Sequence, residues 1–298
     1  AVLRVINDIT VRFTALRAGD VDIVERAAYE WIKEIADKKV KGLNFVASRY
    51  AAGRAIEFNV VDPPFNNKKL RLADAHALDR KEFLHAAYFG FGEPSDQRYP
   101  KGHKWYIEGA PAPAYDLNRA RNLLKEAAYK GEAIEIMGNL GEQAEVEAAV
   151  IQSQLRKIGM NIQIKMLDRG AVFDMRRKGQ YAFKLAGGGT VGPDPVDAYL
   201  PIHVCEPDPR NRNQNETGYC DKEMDALLQR AFAEHDPNKL RELLKRVVEK
   251  INDDVPELSV GFAPRFFAVR DFVKGFTTTH DGEFQWSGGG LSQTWLDK

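Results

Sequence analysis

The sequence predicts an α/β protein with an open, mixed sheet flanked by helices. Three observations carry that expectation. Between 133 and 188, short β-rich runs alternate with amphipathic helical runs, the signature of an open α/β sheet. The chain has 298 residues, a length that suggests two domains, each able to bury a core. Near one-fifth of its length, the strand-like run FNVV meets Pro63 and Pro64 and resumes as a charged helix, a stiff corner between unlike elements.

The elements follow in order. The stretch 11–25 alternates and then gives a short strand near 21–24. AAYEWIKEIADKK reads as a helix with Trp31, Ile32 and Ile35 on one face, and 43–48 and 54–61 read as strands. After the proline corner, 68–89 is helical, with Leu72, Ala75, Ala77 and Leu78 on neighbouring turns and Asp79 able to cap a following helix. Residues 90–115 are rich in proline and glycine and read as loop. Asp116 caps the next helix, whose stripe is Ala120, Leu123, Leu124 and Ala127, and Gly131 ends it. AIEIMG is a strand, 142–159 a helix, and 160–167 a strand with Met160, Ile162, Ile164 and Met166 on one face. A short capped helix spans 168–179, and 181–188 is a strand. Asp221 caps a helix. Asp236 followed by Pro237 opens another, whose stripe is Leu240, Leu243, Leu244, Val247 and Ile251. ELSVGFA at 257–263 is a strand, and 265–276 continues as extended chain.

Composition narrows the function classes. The 43 basic residues balance the 43 acidic ones, so net charge offers no reason to expect nucleic acid as partner. No apolar run approaches the roughly 20 residues of a membrane span. The first residues lack a basic-then-apolar leader, so the expectation is that a signal peptide is absent from this chain. Cys205 and Cys220 bracket a polar loop, CEPDPRNRNQNETGYC. His203 alone does not complete a metal set of about four ligands. Two readings of the cysteines stay open: free thiols, or a disulfide that pins the loop in an oxidising compartment.

Motifs that would carry chemistry are missing. No G-x-S-x-G elbow and no H-E-x-x-H occurs, and the six histidines are scattered, so no catalytic residue, metal or cofactor is expected. GGGTVG at 187–192 matches a dinucleotide fingerprint and follows a strand. Pro193 nonetheless biases Gly192 away from the helix that such a site requires, and no acidic strand end follows. The better reading is a loop at the carboxyl end of a strand, where ligands of open α/β sheets bind and where glycines let them approach the main chain.

EFNVVDPPFNNKKLRLADAHALDRKEFL, YDLNRARNLLKEAAYKG, IQSQLRKIGMNIQIKML, YAFKLAGGGTVGPDPVDAYL and the run from NETGYC to PELSV occur in this order. Together they resemble the extracellular solute-binding proteins of family 5, the dipeptide- and oligopeptide-binding subunits of ABC importers. The resemblance implies a periplasmic-binding-protein-like fold of class II type and a chain that begins late in the family pattern, a truncated piece. Residues 1–57 would be a remnant of the first lobe, 58–262 a nearly complete second lobe, and 263–298 the return to the first. The proline corner would be the crossing, with FNVV and ELSVGFA as the crossing strands around a cleft. The implied role is capture of a small polar solute outside the cytoplasm and its delivery to membrane permease subunits. A ligand-sensing domain of a regulator is the alternative.

The implied ligand contacts are Phe58 and Asn59 at the corner, Gly188, Gly189, Thr190 and Val191 in the strand-end loop, and Trp286 as a stacking surface. In peptide-binding members that loop carries an aspartate for the peptide's amino terminus. Here the nearest position is Thr190, while Asp194 matches a following Asp-Pro element that reads as structural. Burying an ammonium without a carboxylate is costly. An opine or a sugar-like solute is therefore as open as a peptide.

Overall fold

The computed structural model describes residues 1–48, 52–187, 194–208, 210–278 and 290–297, apart from the side chains of Ala52 and Glu142. In chain order the elements are α1 (Ile9–Ala18), β1 (Ile23–Glu25), α2 (Tyr29–Ala36), β2 (Leu43–Ala47), β3 (Ala52–Phe58), α3 (Lys68–Ala77) and α4 (Arg80–Tyr88). Then come β4 (Glu93–Pro94), α5 (Leu117–Glu126), β5 (Ala133–Asn139), α6 (Glu142–Arg156), β6 (Asn161–Leu167), α7 (Arg169–Lys178) and β7 (Phe183–Gly187). A 3-10 turn at Val196–Ala198 leads to α8 (Leu200–His203), α9 (Lys222–Phe232) and α10 (Pro237–Asp254). The chain closes with β8 (Glu257–Ala263), β9 (Phe266–Arg270), β10 (Val273–Lys274) and β11 (Trp295–Leu296).

Two compact units result. Unit 1 comprises 1–52, 88–92 and 262–298, and unit 2 comprises 53–87 and 93–261. The division differs from the expected 1–57, 58–262 and 263–298. The chain passes between units at the start of β3, not at the proline corner, and Pro63 and Pro64 lie inside unit 2. The reason is pairing: β3 runs antiparallel to β7 from Arg54 opposite Gly187 to Phe58 opposite Phe183, which commits the strand to the unit 2 sheet. The other expected crossing, ELSVGFA, does change unit, between Gly261 and Phe262.

Unit 1 contains a three-stranded antiparallel sheet, ordered β1-β9-β2. Helix α1 was not read from the sequence. Asp8 accepts from the Val11 amide at 2.8 Å and Gly19 closes the helix in the left-handed conformation, so both ends are capped. Phe13 of α1 stacks on Trp31 of α2 with centroids 4.2 Å apart, and Leu16, Ile32, Ile35 and Phe266 complete the core.

Unit 2 is a six-stranded mixed sheet, β4-β8-β3-β7-β5-β6, with β5 parallel to both β6 and β7. The proline corner leads into α3, where Asn67 accepts from the Lys69 amide as N-cap. The expected long helix breaks at Leu78, and Asp79 caps α4 by accepting from Lys81 and Glu82, as the sequence suggested. Strand β6 lies at the sheet edge, so its predicted apolar face is covered along only part of its length: Met160 and Ile162 are buried, whereas Ile164 is exposed. Helices α9 and α10 pack with the 99–107 loop. Met224, Leu228, Leu244, Val247 and Tyr99 form the centre of that layer.

Candidate functional site

The parallel pairing of β5 with β6 and β7 puts their carboxyl ends at one edge of the unit 2 sheet, and antiparallel β3 brings its amino end there. This is the location where open α/β sheets bind ligands. Leu140 and Leu167 join the β5 and β6 exits through a 2.8 Å amide-to-carbonyl bond, and the Leu140 side chain is exposed. A Cβ at Gly138 would lie 3.0 Å from the Met166 sulfur and 3.1 Å from Leu185, so both side chains would have to give way to it. Helices α6 and α7 both start at this edge. Asp168 caps α7 through the Ala171 amide at 3.0 Å, whereas Gly141 gives α6 no side-chain cap. Arg54, on β3 opposite Gly187, faces Glu147 of α6 with Nε 3.6 Å from Oε1.

Strand β7 ends at Gly187, where the glycine loop begins. Gly188, Gly189, Thr190, Val191 and also Trp286 lie outside the described residues. The chain is described again from Asp194, whose carboxylate accepts from the Val196 amide at 2.8 Å and opens the 3-10 turn. That contact fits the structural reading of the Asp-Pro element.

Phe58 and Asn59 sit elsewhere, at the far end of β3, and the structure corrects their expected role. Phe58 is fully buried, with rings of Phe65 and Phe183 at 4.7 and 6.1 Å. Asn59 is 2% exposed, and its amide is consumed by the fold. It donates to Asp62, to the Gly179 carbonyl at 2.9 Å and to the Tyr181 carbonyl at 3.1 Å, and accepts from Arg212 at 2.8 Å. Neither side chain keeps a free face for a solute. Arg212 is itself fully buried and also donates to the Glu216 carbonyl at 2.6 Å. Gly179 and Gly218, both at positive φ, leave the space it fills. Cys205 and Cys220 form a disulfide across this loop, which closes the free-thiol alternative.

On the opposite face of the same strand end lies a buried charge network. Glu57 is register partner to Lys184, whose Nζ is 2.7 Å from Glu57 and 2.8 Å from Glu216. Arg98 holds Glu257 in a two-pronged contact, lies 4.0 Å from Glu57, and Arg176 reaches Glu216 at 2.7 Å. Burial pushes the Glu57 carboxyl up, but the facing Lys184 and Arg98 cations outweigh it and hold it below its ordinary value. Burial pushes Lys184 down, and Glu57 and Glu216 reverse that, so the ammonium is held above its ordinary value. His203, 3.6 Å from Glu257, is moved down by burial, and its Nδ1 contacts the Tyr199 carbonyl. Each ion is matched by another, so the network braces the sheet. Sequence reading missed it because residues 57, 98, 184, 216 and 257 share no motif. It also missed Arg54, whose signal was a charged residue heading the apolar run AIEF.

Residues 1–208 match the model of "Bacterial extracellular solute-binding proteins, family 5 Middle". The chain belongs to that family. Among curated relatives, a dipeptide-binding protein of Escherichia coli (strain K12) is 25% identical over 282 residues, covering 92% of this chain and 52% of that protein. A glutathione-binding protein of Salmonella choleraesuis is 27% identical over 263 residues, covering 85% and 50%. The chain thus spans about half the length of the curated relatives it matches. Among solved structures, a periplasmic binding protein from Helicobacter pylori in complex with peptide STSA superposes with a TM-score of 0.84 at 24% identity, covering 99% of this chain and 56% of that one. A binding protein in complex with agropinic acid from A. tumefaciens R10 gives 0.79 at 22%, covering 98% and 59%. These likenesses establish the periplasmic-binding-protein fold. The family is one of extracellular, non-enzymatic solute-binding proteins.

Proposed function

We propose that this chain is the solute-capturing part of an extracytoplasmic binding protein of an ABC importer. It holds a small polar solute at the open edge of the unit 2 sheet and presents it to membrane permease subunits, with no chemical step on the solute. The observation that carries the reading is the family match across residues 1–208, which takes in β5, β6 and β7 and the glycine loop at their exits. Relatives named for dipeptides and glutathione support a peptide as the solute class, and a structural neighbour in complex with agropinic acid supports an opine; a sugar-like compound stays open on the sequence alone. Gly188, Gly189, Thr190 and Val191 supply main-chain contacts, and Trp286 a stacking face. The disulfide favours this reading over a regulator's sensing domain in a reducing cytosol.

The test is native mass spectrometry of the protein at its natural length, purified without denaturation, followed by calorimetry with the solute found. A bound peptide, opine or sugar that dissociates on unfolding is expected. A sample with no small molecule, which also fails to bind members of all three classes, overturns the proposal. Gly189→Trp in the same protein is expected to abolish binding, and unchanged affinity removes the loop from the site.

A further inference from the structure

We propose that unit 1 carries an anion site of its own, a hollow lined by Arg17, Lys39, Lys41 and Arg270 that takes a phosphate group borne on a small molecule or a lipid. The site is separate from the solute-capture reading, because every residue that lines it belongs to unit 1.

The first argument is place. Helix α1 ends at Ala18, the turn after α2 enters β2 at Leu43, and Leu43 pairs with Arg270, the last residue of β9. Strand β2 runs from there to Ala47, opposite Phe266, close in sequence to both crossings into unit 2. The hollow thus lies at the end of the unit 1 sheet away from those crossings. Its volume is about 300 Å³, at the lower end of the range for small-molecule pockets. The second is charge. Among the described residues, seven line the hollow: four are cations and none is a carboxylate. Asp20 and Asp22, near Arg17 in sequence, line a different cavity of about 780 Å³. Arg17, Lys41 and Arg270 have no ion pair among the described residues, whereas Lys39 lies 3.3 Å from Asp37, which Lys33 shares at 2.5 Å. Asp37 and the carboxyl ends of α1 and α2, each end worth about half a negative charge, offset part of the four positive charges. About two remain, close to the charge of roughly −1.5 to −2 on a phosphate monoester at neutral pH. Like charges gathered round one hollow repel, a cost that a bound polyanion reverses. The third is restraint. Arg270 is half-buried, its Nη1 donates to the Leu16 carbonyl at 3.0 Å, and its guanidinium lies 5.2 Å from the centre of the Phe272 ring. Gly19, at φ +90, leaves room for it: a Cβ there would lie 3.1 Å from Nη1. A guanidinium fixed in this way is a planar donor suited to phosphate, and the three exposed cations supply the remaining charge.

The probes are glycerol 3-phosphate, pyrophosphate and acetate, titrated by calorimetry at constant ionic strength into the protein at its natural length. Vesicles of phosphatidylglycerol and phosphatidylcholine in equal parts, or of phosphatidylcholine alone, are tested by co-sedimentation. A phosphate probe is expected to bind at least tenfold more tightly than acetate, or the phosphatidylglycerol vesicles at least tenfold more tightly than phosphatidylcholine alone. Response to a free phosphate identifies a soluble guest and response to vesicles alone a lipid headgroup; both support the site. Arg17→Gln combined with Lys41→Gln changes two exposed side chains, and is expected to weaken the responding probe at least tenfold with the melting temperature unchanged. Should that protein fail to fold, Lys39→Gln is the second variant, expected to weaken the same probe severalfold. Equal affinity of wild type and variant overturns the proposal. So does acetate binding as tightly as phosphate, or no response of the wild-type protein to any phosphate probe or vesicle. Each of these results leaves solute capture standing. A protein that captures no solute, yet loses phosphate binding in the double variant, keeps this site while the solute reading falls.

Discussion

Replacing Lys184 with methionine puts the buried charge network to the test. Lys184 is 4% exposed, and its ammonium bridges Glu57 at 2.7 Å and Glu216 at 2.8 Å. Methionine keeps much of the volume and removes the charge. Glu216 retains Arg176 at 2.7 Å, but among the described residues Glu57 is left with the more distant Arg98 at 4.0 Å as its ion-pair partner. Deleting one partner of a buried pair costs about 3–5 kcal/mol, because the other charge stays inside without compensation. Two remaining cations place Lys184→Met at the lower end, about 3 kcal/mol. In a domain of this size each kcal/mol lowers Tm by about 2–4 °C, so a fall of about 6–12 °C is expected. Circular dichroism at pH 7 measures it, with a urea titration to check that the slope is unchanged. Adding Glu57→Gln is expected to recover part of the loss, since the orphaned charge disappears. The pH dependence gives a second readout. Glu57 has its folded pKa below the reference value of 4.5. Its contribution is therefore present above about pH 4.5 and is lost as pH falls through the lower folded value. Lys184→Met is expected to flatten that acid limb. A fall of less than about 2 °C, or no recovery in the double variant, refutes the account.

Other expectations concern the same unit. Asp74 on α3 is 2% exposed and neither carboxyl oxygen has a hydrogen-bond partner among the described residues, so burial holds its pKa well above the reference value of 3.8. Its stabilising share is full below that value and is lost as pH rises toward the folded one. Asp74→Asn is thus expected to be more stable than wild type at pH 8, with the gap closing toward pH 4; thermal melts across that range decide it. Gly179→Ala combines a φ of +66 with a Cβ 2.6 Å from the Arg212 guanidinium, and is expected to cost about 1–3 kcal/mol in urea unfolding. Reducing Cys205–Cys220, separated by 15 positions, is expected to lower stability by about 3 kcal/mol in the chain-entropy view, read as a drop in urea midpoint with reductant.

Elements whose ends carry chemical signals were legible in the sequence. Asp116, Asp221 and Asp236 cap α5, α9 and α10 as expected, and the α10 stripe from Leu240 to Ile251 is buried. The β5–α6–β6 alternation was legible because strand and helix bury apolar residues with different periods. Helix α1 escaped notice because only Phe13 and Leu16 are buried along it, too few for a periodic stripe. The unit boundary was misplaced because two prolines mark a corner without saying on which side of it the sheet lies. For the site, the strand-exit edge could be inferred from the glycine run after β7, but which side chains meet there depends on strand order. Arg54 and Glu147 are 93 positions apart in sequence and are brought together only because β3 inserts beside β7 and α6 packs on that face.

The segment between Cys205 and Cys220 is fastened by sulfur at its ends and, among the contacts made from within, by the buried Arg212. The two fasteners govern different things. The covalent ring limits how far the unfolded segment can wander, whereas the guanidinium sets where the folded ring lands, against Asn59 and the turn at Gly179. A chain with its thiols reduced would thus keep the address while losing the tether. One lacking the arginine would keep a closed ring and the grip on Glu216, but would lose its hold on Asn59.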